Sequence, residues 1–163
     1  MKILQTTCAV LLLLITVKGS AAEGAIRLAS AHDVATTAER LVTALRAKGM
    51  TVFAEIDHAA GAAANGVNLR PTYLVVFGNP KVGSPLMKCS QSVAIDLPQK
   101  ALIWQDEDDR VWLSYNDPEY LRQRHAISGC DEVLGKISQA LANFARAATA
   151  PDDDGTAGEE IFY

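Results

Sequence analysis

The sequence has no excess of basic residues and no cluster of them. Its 15 Lys and Arg are outnumbered by 19 Asp and Glu, which gives a net charge of -4 at pH 7. Proteins that bind nucleic acid displace counterions from its phosphates with basic side chains, so no nucleic-acid partner is expected. The missing basic cluster also argues against binding to an anionic membrane surface.

No apolar run is long enough to cross a bilayer, which takes about 20 residues. The run Cys8–Val17 is shorter, and it stands between a basic Met1-Lys2 start and the small residues Ser20-Ala21-Ala22. This is the three-part pattern of a cleaved secretory signal. We therefore expect residues 1–22 to be removed near Ala22, a secreted or periplasmic mature protein, and no stable membrane insertion.

Cysteine is scarce, and only Cys89 and Cys130 remain after the expected cleavage. An even pair in an exported protein favours a disulfide, here closing a loop of about 40 residues. The alternative is two separate buried thiols. The sequence leaves both open, because it does not give the distance between the two Cα atoms.

The patterning of the mature chain predicts one domain over residues 23–150 and a flexible acidic tail over 151–163. Alternating or continuous apolar runs predict strands at Ala25–Ala29, Thr51–Ile56, Tyr73–Phe77, Ala101–Trp104 and Val111–Tyr115. Helical spacing predicts helices between them and after Ser128. The predicted fold class is α/β, a single compact domain with a mixed twisted sheet of about five strands and helices packed on it. Tyr73–Phe77 is expected at the sheet centre, and the last two strands are expected to form a hairpin.

Two loops carry the polar residues that are the first candidates for a site. Asp57 and His58 follow a strand, where His58 is a candidate acid, base or ligand. The alternative is that Asp57 only caps a short helix and His58 is a surface residue. Asn79 follows the buried strand, in a turn that Gly78 and Pro80 explain structurally. Ligands in open α/β sheets gather beyond the carboxyl ends of strands, so we expect the two loops to share one polar pocket.

A third candidate segment is Tyr115–His125. His125 lies near the end of a predicted helix, where the helix dipole favours a cation. This interaction explains a histidine at that position without any binding or catalytic role. Taken together, the ligand-binding candidates are Asp57, His58, Asn79, Lys100 and His125. The catalytic candidates are Asp57, His58 and His125.

Metal binding and hydrolysis both have residues of the right type but not the right spacing. The ligand types suited to a soft metal such as copper are His58, Met87, Cys89 and His125. Only Met87 and Cys89 are close in sequence, and a disulfide would remove the thiolate, so no cofactor is expected. No Gly-x-Ser-x-Gly nucleophile elbow is present, and adjacent residues such as Asp57 and His58 usually point apart.

Five segments in order resemble the domain of unknown function 302 family, over roughly residues 30–144. They are Ile56-Asp57-His58-Ala59-Ala60, Phe77-Gly78-Asn79-Pro80, Pro85-Leu86-Met87, Asp96-Leu97-Pro98 and Tyr115–His125. The resemblance implies a compact α/β domain with a twisted sheet, often a homodimer, and no established activity. Some members have a cysteine directly after the Leu-Pro pair. Here Gln99-Lys100 follows, so thiol chemistry at that position is not expected.

The sequence therefore predicts an exported single-domain protein that binds a small molecule or another protein. One alternative is an enzyme that uses Asp57 and His58 as acid and base. A second is a soft-metal binding protein.

Overall fold

A computed structural model describes residues 24–152 of the protein. The predicted signal peptide and residues 153–163 of the predicted tail lie outside these residues. The strands are β1 (Ala25–Ala29), β2 (Thr51–Asp57), β3 (Thr72–Gly78), β4 (Gln99–Gln105) and β5 (Val111–Asn116). The helices are α1 (Val34–Ala47), α2 (His58–Ala63), α3 (Pro80–Cys89), a 3-10 helix (Gln91–Ile95), α4 (Pro118–Arg124) and α5 (Asp131–Thr149).

The five strands form one sheet in the order β1-β5-β4-β3-β2, and every neighbouring pair is antiparallel. The predicted class, a single α/β domain with a five-stranded sheet, is confirmed, whereas the expected parallel component is wrong. The reason is that α1 carries the chain from β1 at one edge to β2 at the other, so this crossover does not join neighbouring strands. The central strand is β4, and β3, predicted to be central, is its neighbour.

Local signals fix the ends of α1. Asp33 caps its start, because Oδ1 accepts a hydrogen bond from the Thr36 N–H at 2.7 Å. After Lys48 the chain leaves the helix through Gly49, whose φ of +70° is readily adopted only by glycine. The buried side chains of α1 include Leu41 and Leu45, one turn apart on the face towards the sheet.

The hydrophobic core lies between one face of the sheet and the antiparallel helices α1 and α5. Alternate strand residues, such as Val75, Ile103 and Leu113, are buried there with at most 1% of their surface exposed. The rings of Phe77 and Phe144 meet edge to face, with centroids 6.4 Å apart. This contact joins β3 to α5 at the end of the sheet where the candidate site lies.

A disulfide joins Cys89 at the end of α3 to Cys130 at the start of α5, with the Cα atoms 6.4 Å apart. The predicted pairing therefore has its geometry in the structure. On the chain-entropy model, a loop of this length stabilises the fold by roughly 4 kcal/mol. Among residues 24–152, no helix is both long and apolar enough to cross a membrane.

Candidate functional site

A groove opens between α3 and α5, over the end of the sheet where β3 finishes and β4 begins. Its volume is about 500 Å³. Apolar side chains supply most of its wall, among them Phe53, Phe77, Met87, Leu97, Pro98, Ile137, Ala140, Leu141 and Phe144. Phe53 and Val82 remain 54% and 38% exposed, which places apolar surface at the mouth as well as inside.

Buried within this apolar wall is the side chain of Gln99. It is the first residue of β4 and shares the helix-facing side of that strand with Ala101 and Ile103, so only 7% of its surface is exposed. The side-chain amide makes no hydrogen bond to any residue in the described range 24–152, and its two polar atoms keep some solvent contact, since Arg40 Nε is the one fully buried unpaired side-chain atom of that range. Buried polar groups normally have a partner, so an unpaired amide against a cavity is a group that a ligand or a water satisfies.

The groove carries little charge. Lys136 is the one charged residue in its lining among the described residues. Its Nζ donates to Oε1 of Glu132 at 2.5 Å, and both side chains are largely exposed to solvent. The remaining polar residues of the lining are Asn79, Ser84 and Gln99. A bound molecule would therefore meet a neutral interior with a cation only at the rim.

The expected pocket shared by Asp57 and Asn79 does not form. In the antiparallel β2–β3 pair, Asp57 is opposite Tyr73 and Thr51 is opposite Gly78. The two loops therefore lie at opposite ends of the sheet, about 20 Å apart along the strand. Asn79 lines the groove, and its Oδ1 accepts from the Lys81 N–H at 2.9 Å and so caps α3.

Asp57 instead lines a second cavity at the other end of the sheet. Its Oδ1 accepts from the Ala60 N–H at 2.9 Å, so it is the N-cap of α2, and His58 is exposed in the first turn. The same cavity contains the carboxylates of Asp33, Glu39 and Glu55. Burial, and then the neighbouring Glu55 carboxylate, raise the pKa of Tyr73 above its usual value.

His125 is held in a polar cluster between the 3-10 helix and α4. Its Nε2 lies 2.5 Å from Oδ2 of Asp96, and its Nδ1 lies 3.0 Å from Oγ of Ser92. The Ser90 hydroxyl donates to the backbone oxygen of His125 at 2.9 Å. The side chain of His125 is only 6% exposed. These contacts fix the segment that leads into Gln99.

The ammonium group of Lys100, another predicted ligand-binding residue, is hydrogen-bonded to the backbone of the turn before β4. Its Nζ donates to the backbone oxygens of Asp96 and Pro98, each at 3.0 Å. Both acceptors belong to the turn that precedes β4, so Lys100 braces this turn.

The four candidate metal ligands do not converge. Met87 lines the groove, Cys89 is bonded to Cys130, His125 is held by Asp96, and His58 lies at the opposite end of the sheet. Among the described residues, no three His, Cys, Asp or Glu side chains are grouped to hold a metal ion.

Sequence reasoning missed Gln99, Ser92 and Asp96. Gln99 had a usable signal, since it is in phase with the inward-facing Ala101 and Ile103. The predicted strand begins only at Ala101 and therefore leaves Gln99 outside it. The partners of His125 gave no comparable signal, because Asp96 and Ser92 are 29 and 33 residues away in the chain.

The chain belongs to the family described as domain of unknown function DUF302, whose model matches residues 26–144. Three of the five segments that carry the resemblance contribute to the groove: the Asn79 turn, the Met87 segment and the Leu97-Pro98 pair. A crystal structure of an uncharacterized conserved protein DUF302 from Bacillus stearothermophilus has the same fold, with a TM-score of 0.70. The two sequences are 18% identical, and the superposition covers 78% of this chain and 99% of the Bacillus stearothermophilus chain.

Two similar curated proteins are fluoride-specific ion channels of Brucella. FluC 1 of Brucella suis biovar 1 (strain 1330) is 43% identical over 113 residues, which is 69% of this chain and 44% of that protein. FluC 2 of Brucella melitensis biotype 1 is also 43% identical over 113 residues, covering 42% of its length. The chain thus spans less than half the length of the curated relatives it matches.

Proposed function

We propose that this protein is an exported binding module that takes up a small, largely apolar molecule in the groove between α3 and α5. The observation that carries the proposal is the unpaired amide of Gln99, on a residue only 7% exposed, within an apolar wall. Ligand sites are typically apolar cavities of this size with few, well-placed polar groups. Filling the groove would remove the exposed apolar surface of Phe53 and Val82 from water.

Export is part of this proposal. It is supported by the signal-like pattern of residues 1–22 and by the disulfide between Cys89 and Cys130, since disulfides persist in oxidising compartments. Mass spectrometry of the protein recovered from the periplasm or medium tests it. A chain that begins near Glu23 supports export, and a full-length chain confined to the cytoplasm contradicts it.

Binding is tested with N-phenyl-1-naphthylamine, an uncharged apolar dye whose emission rises in apolar surroundings. We expect saturable binding of the dye and a dye-dependent rise in melting temperature. Ala140→Trp places a large side chain in the groove and should abolish saturable binding. Ala147→Trp makes the same change at an exposed position of the same helix and should leave binding intact.

If the unmodified protein shows no saturable dye binding, the proposal is overturned. It is overturned as well if Ala140→Trp binds the dye as tightly as Ala147→Trp does. Melting curves of both variants, recorded without dye, show whether each one is folded.

The names of the Brucella relatives favour a second candidate, a role in fluoride export. We propose this alternative because the domain is 43% identical to part of two fluoride-specific channels. No helix in residues 24–152 crosses a membrane, so this candidate gives the domain an accessory role and not the pore. Deleting the gene should then lower the fluoride concentration that halves growth, and unchanged growth in fluoride would contradict it.

A homodimer is the assembly that we propose, following the family resemblance. The sheet face opposite α1 and α5 supports it, because Trp104 and Trp112 lie there, with the guanidinium of Arg27 4.4 Å from the Trp112 ring centroid. Sedimentation velocity over a range of protein concentrations tests this. A single monomeric species throughout would contradict the proposal.

A further inference from the structure

We infer that the ligand of the groove is uncharged and carries an amide-like group, a hydrogen-bond donor and acceptor side by side, that pairs with the side chain of Gln99. This inference rests on the proposed function and narrows it to a chemical class. Primary amides, lactams and the amide edges of heterocycles are members of the class. It excludes fatty-acid anions, which an apolar groove alone would otherwise admit.

The first step is the chemistry of Gln99 itself. A primary amide has a carbonyl oxygen that accepts and an NH₂ group that donates, and the two lie on one planar group. Neither atom is bonded to another residue in the range 24–152, although only 7% of the residue's surface is exposed. A ligand that offers only an acceptor or only a donor leaves one of the two atoms unpaired, whereas a second amide satisfies both.

The second step is the absence of a balancing charge beside Gln99. Lys136 is the one charged residue of the described lining, and it lies in solvent beside Glu132. A carboxylate drawn down to Gln99 would lose its hydration without gaining a cation. A neutral amide loses much less hydration and recovers its hydrogen bonds from Gln99.

The third step is the competition from other polar groups in the lining. Oδ1 of Asn79 is occupied by the Lys81 N–H at the start of α3. Ser84 lies about one turn along the same helix, at an exposed position. Gln99 is therefore the polar group that sits deepest in the apolar wall.

The experiment measures displacement of N-phenyl-1-naphthylamine at pH 7.5 by octanamide, octanoate and octanol. These three carry similar apolar chains but differ at the head group. We expect octanamide to displace the dye at a concentration about tenfold lower than octanoate, as one extra satisfied polar pair predicts. Octanol, which has a single hydroxyl, should fall between them.

Gln99→Leu, with each displacement referred to the dye affinity of that variant, should weaken octanamide relative to octanol, which is also uncharged, by at least about threefold, because the pairing amide is gone. Gln99→Met serves the same purpose with a side chain of nearly the same length. The control is Gln105→Leu, which removes a glutamine from the other end of β4, outside the groove lining. It should keep the full preference for octanamide.

The outcomes separate the two proposals. If the dye does not bind the unmodified protein, the binding function itself fails. If the dye binds but octanamide and octanoate displace it equally well, the binding function stands and the inference about the ligand class is overturned. An affinity of octanamide relative to octanol that is unchanged in both Gln99 variants also overturns it, because the amide group is then recognised by something other than Gln99.

Discussion

The imidazole Nε2 of His125 lies 2.5 Å from the Oδ2 of Asp96, and the two side chains are only 6% and 12% exposed. This contact ties α4 to the turn that carries the chain into β4. Since Gln99 follows Asp96 by three residues, the pair fixes the approach to the groove without lining it.

We expect Asp96→Asn to lower the free energy of unfolding by about 2 kcal/mol, because a buried charge-assisted hydrogen bond to His125 is replaced by a weaker neutral one. Urea unfolding followed by circular dichroism measures it. Asp108→Asn removes an exposed carboxylate paired with Arg110 and is the matched control, with an expected change below about 0.5 kcal/mol. Equal effects of the two substitutions would contradict the structural importance of the Asp96–His125 pair.

The same cluster decides whether the protein has serine-hydrolase chemistry. Ser92, His125 and Asp96 follow the order of a nucleophile, a base and an orienting carboxylate. The groove, however, is lined by Ala94 and Leu97 and not by Ser92. We therefore expect a fluorophosphonate probe to label the unmodified protein no faster than Ser92→Ala. Stoichiometric labelling of Ser92, detected by peptide mass spectrometry, would make the enzyme alternative the better one.

Gln99→Met should raise the stability of the ligand-free protein. Replacing an unpaired amide that keeps little solvent contact with an apolar side chain of similar length removes part of a desolvation cost, for an expected gain of up to about 1 kcal/mol. Thermal and urea unfolding measure the change. Gln139→Met, at an exposed position of α5, should alter stability by less than about 0.5 kcal/mol. A loss of stability in Gln99→Met would show that the amide already has a partner.

The double variant Cys89→Ser, Cys130→Ser should lose about 2–4 kcal/mol of stability, because the unfolded chain is no longer cross-linked. Thiol counting in denaturant is the accompanying measurement. Protein recovered after export should have no free thiol in its unmodified form. Two free thiols would contradict the pairing, and the variant should then be as stable as the unmodified protein.

Acid should weaken α4 through Glu119. Hydrogen bonds from Arg122, and then from Gln123, lower the pKa of Glu119 from 4.5 to about 2. A depressed carboxyl pKa gives stability that is present above 4.5 and is lost as the pH falls towards 2. Melting temperatures between about pH 5 and about pH 2 should therefore fall less in Glu119→Gln than in the unmodified protein. Glu39→Gln, which changes the net charge equally, is the control.

The sequence was informative where structure depends on neighbouring residues. Asp33 caps the start of α1 and Gly49 follows its end, and both act through local interactions of the kind that a sequence pattern can carry. The hairpin of β4 and β5 followed from two strands joined by a short acidic turn. The apolar spacing along the last helix likewise agrees with the buried face of α5.

Prediction failed where the answer depended on which strands are neighbours. Whether Asp57 and Asn79 meet depends on the relative direction of β2 and β3, and no local pattern encodes it. Parallel strands would place the two loops at the same end of the sheet. Because β2 and β3 are antiparallel, the loops lie at opposite ends. The contact of His125 with Asp96 could not be predicted for the same reason, because it joins segments on either side of the hairpin.

The cross-link between Cys89 and Cys130 gives the groove a fixed end and a free end. It fastens the last residue of α3 to the residue that precedes α5, so the two walls are held together there. Any widening would occur at the far end, near the first turn of α3, where Pro80 and Val82 line the groove together with Phe53. A molecule as long as the cavity would enter from that side, and reduction of the cross-link would let both ends of the cavity open.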